Sequence, residues 1–303
     1  MDIKELKFGD YRAEINLTRG ANCISLRNEK YGVRLLREPN YDNLDSMYLY
    51  GMPILFPVNR IEGGRFTFDG REYTLPVNEK STGCYLHGSL HLEEFSRVRE
   101  SEDSIVCRYV SDEAHPYLTF GHNFEIIMEY SLSDSGLLQI VKVKNLSDKK
   151  MPCMLGFHTT FYSDLGAGES RVLVDIKREF ERNMKVYLPT GNCPEPDLVT
   201  TELSQGIFDP HSTAVSRHYE APCNGRMEIV NESLGIKCVY ENDEKYKYRL
   251  IYNGRADEYI CLEPQTCLVN APNMPLPYEE SGFDFIEPGG EKEYVSRIYV
   301  EKI

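Results

Sequence analysis

Apolar and polar residues alternate with a period of two over much of this chain. Arg65-Phe66-Thr67-Phe68 and Arg71-Glu72-Tyr73-Thr74-Leu75 flank Asp69-Gly70. That pair supplies the positive φ a tight turn needs, so the segment predicts a β-hairpin. A second hairpin is expected from Phe124 to Leu146, with Asp134-Ser135-Gly136 at its turn. A third joins Met227–Val230 to Ile236–Tyr240 through Asn231-Glu232-Ser233-Leu234-Gly235. Further strands are expected over Cys23–Arg27, Gly32–Leu36, Ile105–Val110, Met154–Tyr162, Arg171–Ile176, Arg249–Tyr252, Tyr259–Leu262 and Tyr294–Glu301. A sustained 3.6-residue apolar period is almost absent. Many short strands with turn signals between them, and no interleaved amphipathic helices, predict an all-β chain built as a large antiparallel β-sandwich. No fixed-period repeat and no low-complexity linker divides it. The Pro-rich stretch Leu188–Pro196 is the best boundary, but strand patterns continue on both sides, so one domain over residues 1–303 is expected.

Composition agrees. The chain has 21 Tyr and 13 Phe but no Trp, and the two abundant aromatics suit a pleated, half-buried surface. Lys and Arg number 34 against 48 Asp and Glu, a formal charge of −14. Nucleic acid and anionic membrane surfaces, which bind through clustered cations, are therefore not expected partners. No apolar run approaches the length of a membrane helix, and Met1-Asp2-Ile3-Lys4-Glu5 mixes charges where a signal peptide would be basic and then apolar. A cytoplasmic location is expected. The nine cysteines are scattered without a Cys-x-x-Cys pair, which predicts reduced, buried thiols.

Four segments set polar groups in apolar or Gly/Pro-punctuated surroundings: Pro57-Val58-Asn59-Arg60, Leu86-His87-Gly88, Leu155-Gly156-Phe157-His158-Thr159-Thr160-Phe161 and Cys261-Leu262-Glu263-Pro264-Gln265-Thr266. His158 and Glu263 stand at or near the ends of apolar, strand-like runs, where an unpaired polar side chain is costly. Local capping of the strand is the plainer explanation for each.

Taken together and in order, these segments resemble the aldose 1-epimerase (galactose mutarotase) family. Its sequences carry an Asn-Arg, a Leu-His-Gly, a Gly-x-His-Pro-Tyr-Phe and a late Glu-Pro-x-Thr. The matching residues are Asn59-Arg60, Leu86-His87-Gly88, Gly156-Phe157-His158 with Phe161, and Glu263-Pro264-Gln265-Thr266; Leu188-Pro189-Thr190-Gly191 also looks like a segment of the family. The resemblance implies the galactose mutarotase-like supersandwich and interconversion of the α and β anomers of a free aldohexose. It makes Glu263 the base at the C1 hydroxyl and His158 the acid at the ring oxygen, with Asn59, Arg60 and His87 holding the sugar. Neither metal nor organic cofactor is implied, and a monomer or homodimer is expected. Two departures stand out. Thr159-Thr160 replaces Pro-Tyr, and the family's sugar-binding Asp has no clear counterpart, leaving Asp209 and His218 as tentative substitutes.

Other readings stay open. His87 and His91 with Glu93 or Glu94 offer metal-ligand types for a cupin-like enzyme, and Cys84 with His87 is a weaker zinc pair. A carbohydrate-binding sandwich without turnover is a third. A hexose-phosphate epimerase of the same superfamily is a fourth, with Arg60, Arg65 and Arg71 as phosphate ligands.

Overall fold

The computed structural model describes residues 1–40, 48–254, 256 and 258–303. All strand pairings among them are antiparallel, and α-helix is confined to Leu198–Gln205 and Tyr278–Ser281. Two large sheets dominate. The first has eight strands in the order Ser96–Glu100, Ser104–Ser111, Phe124–Ser133, Gly136–Asn145, Glu291–Lys302, Ile236–Asn242, Arg226–Asn231 and Arg171–Val174. The second runs Arg178–Glu179, Ser216–Glu220, Tyr248–Tyr252, Tyr259–Gln265, Gly156–Phe157 and Ile54–Leu55, with Thr160–Tyr162 also paired to Tyr259–Gln265. A four-stranded sheet at the N-terminus comprises Ile3–Phe8, Tyr11–Asn16, Asn22–Asn28 and Val33–Arg34.

The three expected hairpins form. Asp69 and Gly70 both take positive φ, 50° and 73°, as a two-residue hairpin turn requires. Strand Phe124–Ser133 alternates buried and half-buried residues, so Phe124, Ile126, Met128, Tyr130 and Leu132 all point into the core. Among the described residues, most of the buried apolar side chains form one contiguous cluster that runs from Leu6 to Ile298.

Two expected strands need correcting, and some elements fall outside the expected set. Met154–Tyr162 is two short strands, because the segment changes partners at His158: the Phe157 side pairs with Ile54, and the Thr160 side pairs with Cys261. Gly32–Leu36 forms a ladder only over Val33–Arg34. The helix Leu198–Gln205 was not expected; its signals are purely local, an Asp197 N-cap accepting from the Thr200 amide and a left-handed Gly206 C-cap. The N-terminal hairpin Ile3–Phe8 with Tyr11–Asn16 also escaped the pattern, since the first strand buries only Leu6.

Hairpin glycines separate backbone strain from crowding. Gly136 has φ +85°, and a Cβ there would lie 2.2 Å from the Ile298 carbonyl oxygen, whereas Gly235, at φ +63°, has open space around it. Gly235→Ala should therefore cost about 1–2 kcal/mol, the left-handed penalty alone. Gly136→Ala should cost at least about 1 kcal/mol more, because the backbone must also shift. Urea denaturation of the two variants checks this, and equal losses would contradict it.

Candidate active site

The strand Tyr259–Gln265 lies inside its sheet, and its alternation builds the site. Ile260 and Leu262 belong to the apolar core, while Glu263 lines a cavity of about 690 Å³ on the other face. Register places neighbours on that same face. Glu263 pairs with Leu250 and Leu250 with His218, while Tyr252 pairs with Ser216. Leu250, Tyr252 and Ser216 join Glu263 in the cavity wall.

On the other side of Glu263, the break between Gly156–Phe157 and Thr160–Tyr162 delivers His158. Its Nε2 stands 3.3 Å from Glu263 Oε1. Both residues are buried, and Glu263 Oε1 has no well-directed hydrogen-bond donor. Burial pushes the Glu263 carboxyl up to about 8, against the opposing pull of Arg182, the Gln265 hydrogen bond and Arg60. Burial also pushes the His158 imidazole down to about 3. Both shifts have one cause: burial favours the neutral carboxyl and the neutral imidazole over the ion pair.

A short relay fixes the carboxylate. Gln265 Nε2 donates to Glu263 Oε2 at 3.2 Å, and Asn59 Nδ2 donates to Gln265 Oε1 at 3.0 Å. Asn59 and His87 both take left-handed backbone, φ 62° and 59°, and the Asn59 amide donates to His87 Nδ1 at 3.3 Å. A backbone N–H can only donate, so Nδ1 is the bare nitrogen. Burial holds His87 well below its ordinary range. It is therefore neutral, with its proton on Nε2, a donor for a ligand hydroxyl. Gly88 permits this turn: a Cβ there would stand 2.3 Å from the Phe56 carbonyl oxygen and 2.5 Å from the Tyr117 hydroxyl. The Tyr48 ring lies against His87 and His158, at 5.1 and 6.0 Å between centroids.

Arg60 lines the cavity, but Glu79 grips its guanidinium through two hydrogen bonds of 2.6 Å. Although burial raises the Glu79 carboxyl, Arg60 and Thr82 hold it below its ordinary value. Among the cavity residues that sequence reasoning missed are Arg182 and Tyr187. Arg182 is 7% exposed, and its Nη2 donates to the Ser216 carbonyl and hydroxyl oxygens, both at 2.8 Å. The Tyr187 ring sits between the guanidiniums of Arg60 and Arg182, at 4.6 and 5.9 Å. The signal available was position: Tyr187 immediately precedes the family-like Leu188-Pro189-Thr190-Gly191.

Neither tentative substitute for the family's Asp lines this cavity. Asp209 Oδ1 accepts the His211 amide at 2.9 Å and serves its own turn. His218 shares the Glu263 face but is fully buried beside Tyr248, with neither ring nitrogen hydrogen-bonded. The Thr159-Thr160 substitution leaves the cavity wall alone. Thr159 Oγ1 is 3.0 Å from the Tyr240 hydroxyl, and Thr160 Oγ1 is 3.4 Å from Cys261 Sγ.

The cupin-like set does not assemble. His91 is buried with both nitrogens unpaired, and Glu93 reaches back to Ser89. Cys84 Sγ turns to the Thr82 carbonyl. Among the described residues, the one group of three metal-ligand types is His158, Cys261 and Glu263, whose ligand atoms lie within 4.8 Å of one another. Burial holds the Cys261 thiol well above its ordinary range, and its Sγ lies against the Thr160 hydroxyl. The phosphate set fares no better: Arg65 is exposed on the hairpin Arg65–Phe68 with Arg71–Thr74, and Arg71 donates to the Gly121 carbonyl.

The chain is 28% identical over 223 residues to the uncharacterized protein YphB of Escherichia coli, covering 71% of this chain and 72% of that protein. A galactose mutarotase-like protein from Clostridium acetobutylicum superposes over 100% of this chain and 99% of its own, with a TM-score of 0.90 and 28% identity. The GalM/aldose epimerase homologue of C. elegans shares the fold, with a TM-score of 0.77 at 17% identity, over 100% and 99% of the two chains. The family model for aldose 1-epimerase matches residues 4–289, and the chain belongs to that family.

Proposed function

We propose that this protein, as one domain over residues 1–303, is a cytoplasmic aldose 1-epimerase that interconverts the α and β anomers of a free hexose without metal or cofactor. The observation that carries the reading is the buried pair Glu263 and His158, 3.3 Å apart on the cavity wall. Mutarotation removes the C1 hydroxyl proton and protonates the ring oxygen; the opened aldehyde then rotates and closes on its other face. One base and one acid suffice, and the pair must hold one proton throughout.

In the empty cavity burial keeps that proton on Glu263. A sugar whose C1 hydroxyl donates to Glu263, and whose ring oxygen accepts from His158, favours the opposite placement, because donation to a carboxylate stabilises its charged form. Binding and transfer of the proton from Glu263 to His158 are thus one event. Ring opening takes the C1 proton onto Glu263 and gives the His158 proton to the ring oxygen; closure runs the same steps backwards. His87 Nε2–H and Arg60 hold sugar hydroxyls, and the Gln265–Asn59 relay keeps Glu263 in line.

Glu263→Gln and His158→Asn should each slow catalysed anomer exchange by at least about a hundredfold while leaving the fold intact. Polarimetry of freshly dissolved aldoses, with circular dichroism as the control for folding, decides it. Near-normal turnover in either variant defeats the proposal.

The pH profile follows from the proton count. kcat/KM reports the free enzyme, so it should stay level through neutral pH and fall above about 8, where Glu263 loses the shared proton. A decline centred between about 4 and 5, the range of an ordinary carboxylate, would show a different group at work.

Stability should register the same burial. The folded Glu263 carboxyl binds its proton more tightly than the unfolded one, so its contribution is intact below the ordinary value of 4.5 and is lost as pH rises towards about 8. Glu263→Gln removes this loss. The variant should melt higher than the parent near pH 9 and close to it near pH 3.5, values set by about one unit beyond each limit. A melting-temperature difference that does not change with pH contradicts the assignment.

A further inference from the structure

The cavity carries a guanidinium to which the proposed chemistry assigns no contact with the sugar. Among the described residues, its ionic lining consists of Arg60, Arg182, Glu79 and Glu263, with His87 and His158. Arg60 and Glu79 cancel as a bidentate pair. His87 is neutral. Glu263 and His158 share one proton, so the pair sums to zero whichever of them holds it. What remains is the guanidinium of Arg182, drawn electrostatically towards the Glu263 and Glu179 carboxyls but hydrogen-bonded to neither.

Arg182 makes no ion pair among the described residues, and its hydrogen bonds to Ser216 both come from Nη2. Nη1 and Nε are left for a partner. A cation this deeply buried is ordinarily matched by a counter-charge, and the strain shows in its acidity, which burial pushes down to about 10. The Tyr187 ring and the Ser216 anchor hold the planar fork facing the cavity, an arrangement suited to the oxygens of an anionic group.

We propose that the preferred substrate is an aldose bearing one anionic oxygen group, a carboxylate or a phosphate, which Arg182 binds. The proposal rests on the epimerase reading and names its substrate class. It also differs from the phosphate site that Arg60, Arg65 and Arg71 suggest in the sequence, since none of those three has a free guanidinium in the cavity.

The test compares anomer exchange by magnetisation-transfer NMR for D-glucose, D-glucuronate, D-glucose 6-phosphate, N-acetylglucosamine and N-acetylmuramate, whose carboxylate sits on a C3 ether. Calorimetric titration of the same sugars reads binding without turnover. At least one acidic aldose should exceed its neutral parent in kcat/KM by about tenfold or more, and Arg182→Gln should bring that ratio close to one. Arg182→Lys, which keeps the charge without the fork, should retain part of the preference and guards against a glutamine variant that fails to fold. Leadership by a carboxylate or by the phosphate identifies the source of the anion. Equal kcat/KM for every acidic aldose and its parent, or a preference that survives in Arg182→Gln, overturns the proposal while leaving the epimerase reading intact. Arg182-dependent binding of an acidic aldose with no turnover of any sugar sinks the epimerase reading and upholds the anion site.

Discussion

The site is organised around a carboxyl group taken out of water. Glu263 is 1% exposed, on a strand whose opposite face is committed to the apolar core, so it cannot swing back to solvent. A carboxylate in that position is costly unless charged or hydrogen-bonded partners surround it. Each neighbour answers to this. Gln265 donates from two residues along the same strand, and Asn59 orients Gln265. Arg182 and Arg60 pull the acidity back towards the ordinary range without overcoming burial. His158, with its own proton affinity suppressed by the same burial, completes a pair in which one proton has two homes.

The β-sandwich makes this economical because register alone places the side chains. Along Tyr259–Gln265, every second residue belongs to the core, and the intervening ones belong to the cavity face. The strand therefore anchors and functions at once. Cross-strand partners extend the site by direct opposition: Glu263 with Leu250, Tyr252 with Ser216, and through Ser216 the anchor of Arg182. The opposite wall comes from loops. There the chain must turn sharply, and Asn59, His87 and Tyr187 all adopt left-handed backbone at φ near 60°. Such strain persists where surrounding structure over-determines it. At His87 the enforcing structure is visible: the Tyr85 hydroxyl donates to the Pro57 carbonyl, and the Tyr117 hydroxyl donates to the Phe56 carbonyl.

What was legible in the sequence followed from period and from local chemistry. Alternation announced the long hairpins, whose residues divide cleanly between faces, as in Phe124–Ser133. It failed where a strand has no clean division: Ser96–Glu100 is exposed throughout, and Ile3–Phe8 buries one residue. Glu263, His158, His87, Asn59 and Arg60, which short motifs and the family resemblance single out in the sequence, all line one cavity. Arg182 and Tyr187 were not singled out, because they lie in the polar segment Glu181-Arg182-Asn183-Met184-Lys185-Val186-Tyr187. Nothing in that composition separates a buried arginine from a solvated one. Only the fold, which lays the segment against Ser216, makes Arg182 part of the cavity.

Two arginines in one cavity show how context divides a residue type. Arg60 pairs with Glu79, a carboxylate further secured by Thr82, and stacks on Tyr187; its charge is spent within the protein. Arg182 shares the aromatic ring but has neutral oxygens as its partners. A neutral acceptor satisfies a donor without cancelling its charge, and in a low-dielectric setting that difference is large. The field of Arg182 falls on Glu263, where it favours the ionised carboxylate that ring opening requires. An anion bound at Arg182 would offset part of that field and make Glu263 a stronger base towards the C1 hydroxyl. Recognition of a charged substituent and the proton affinity of the acid–base pair are therefore coupled through one guanidinium.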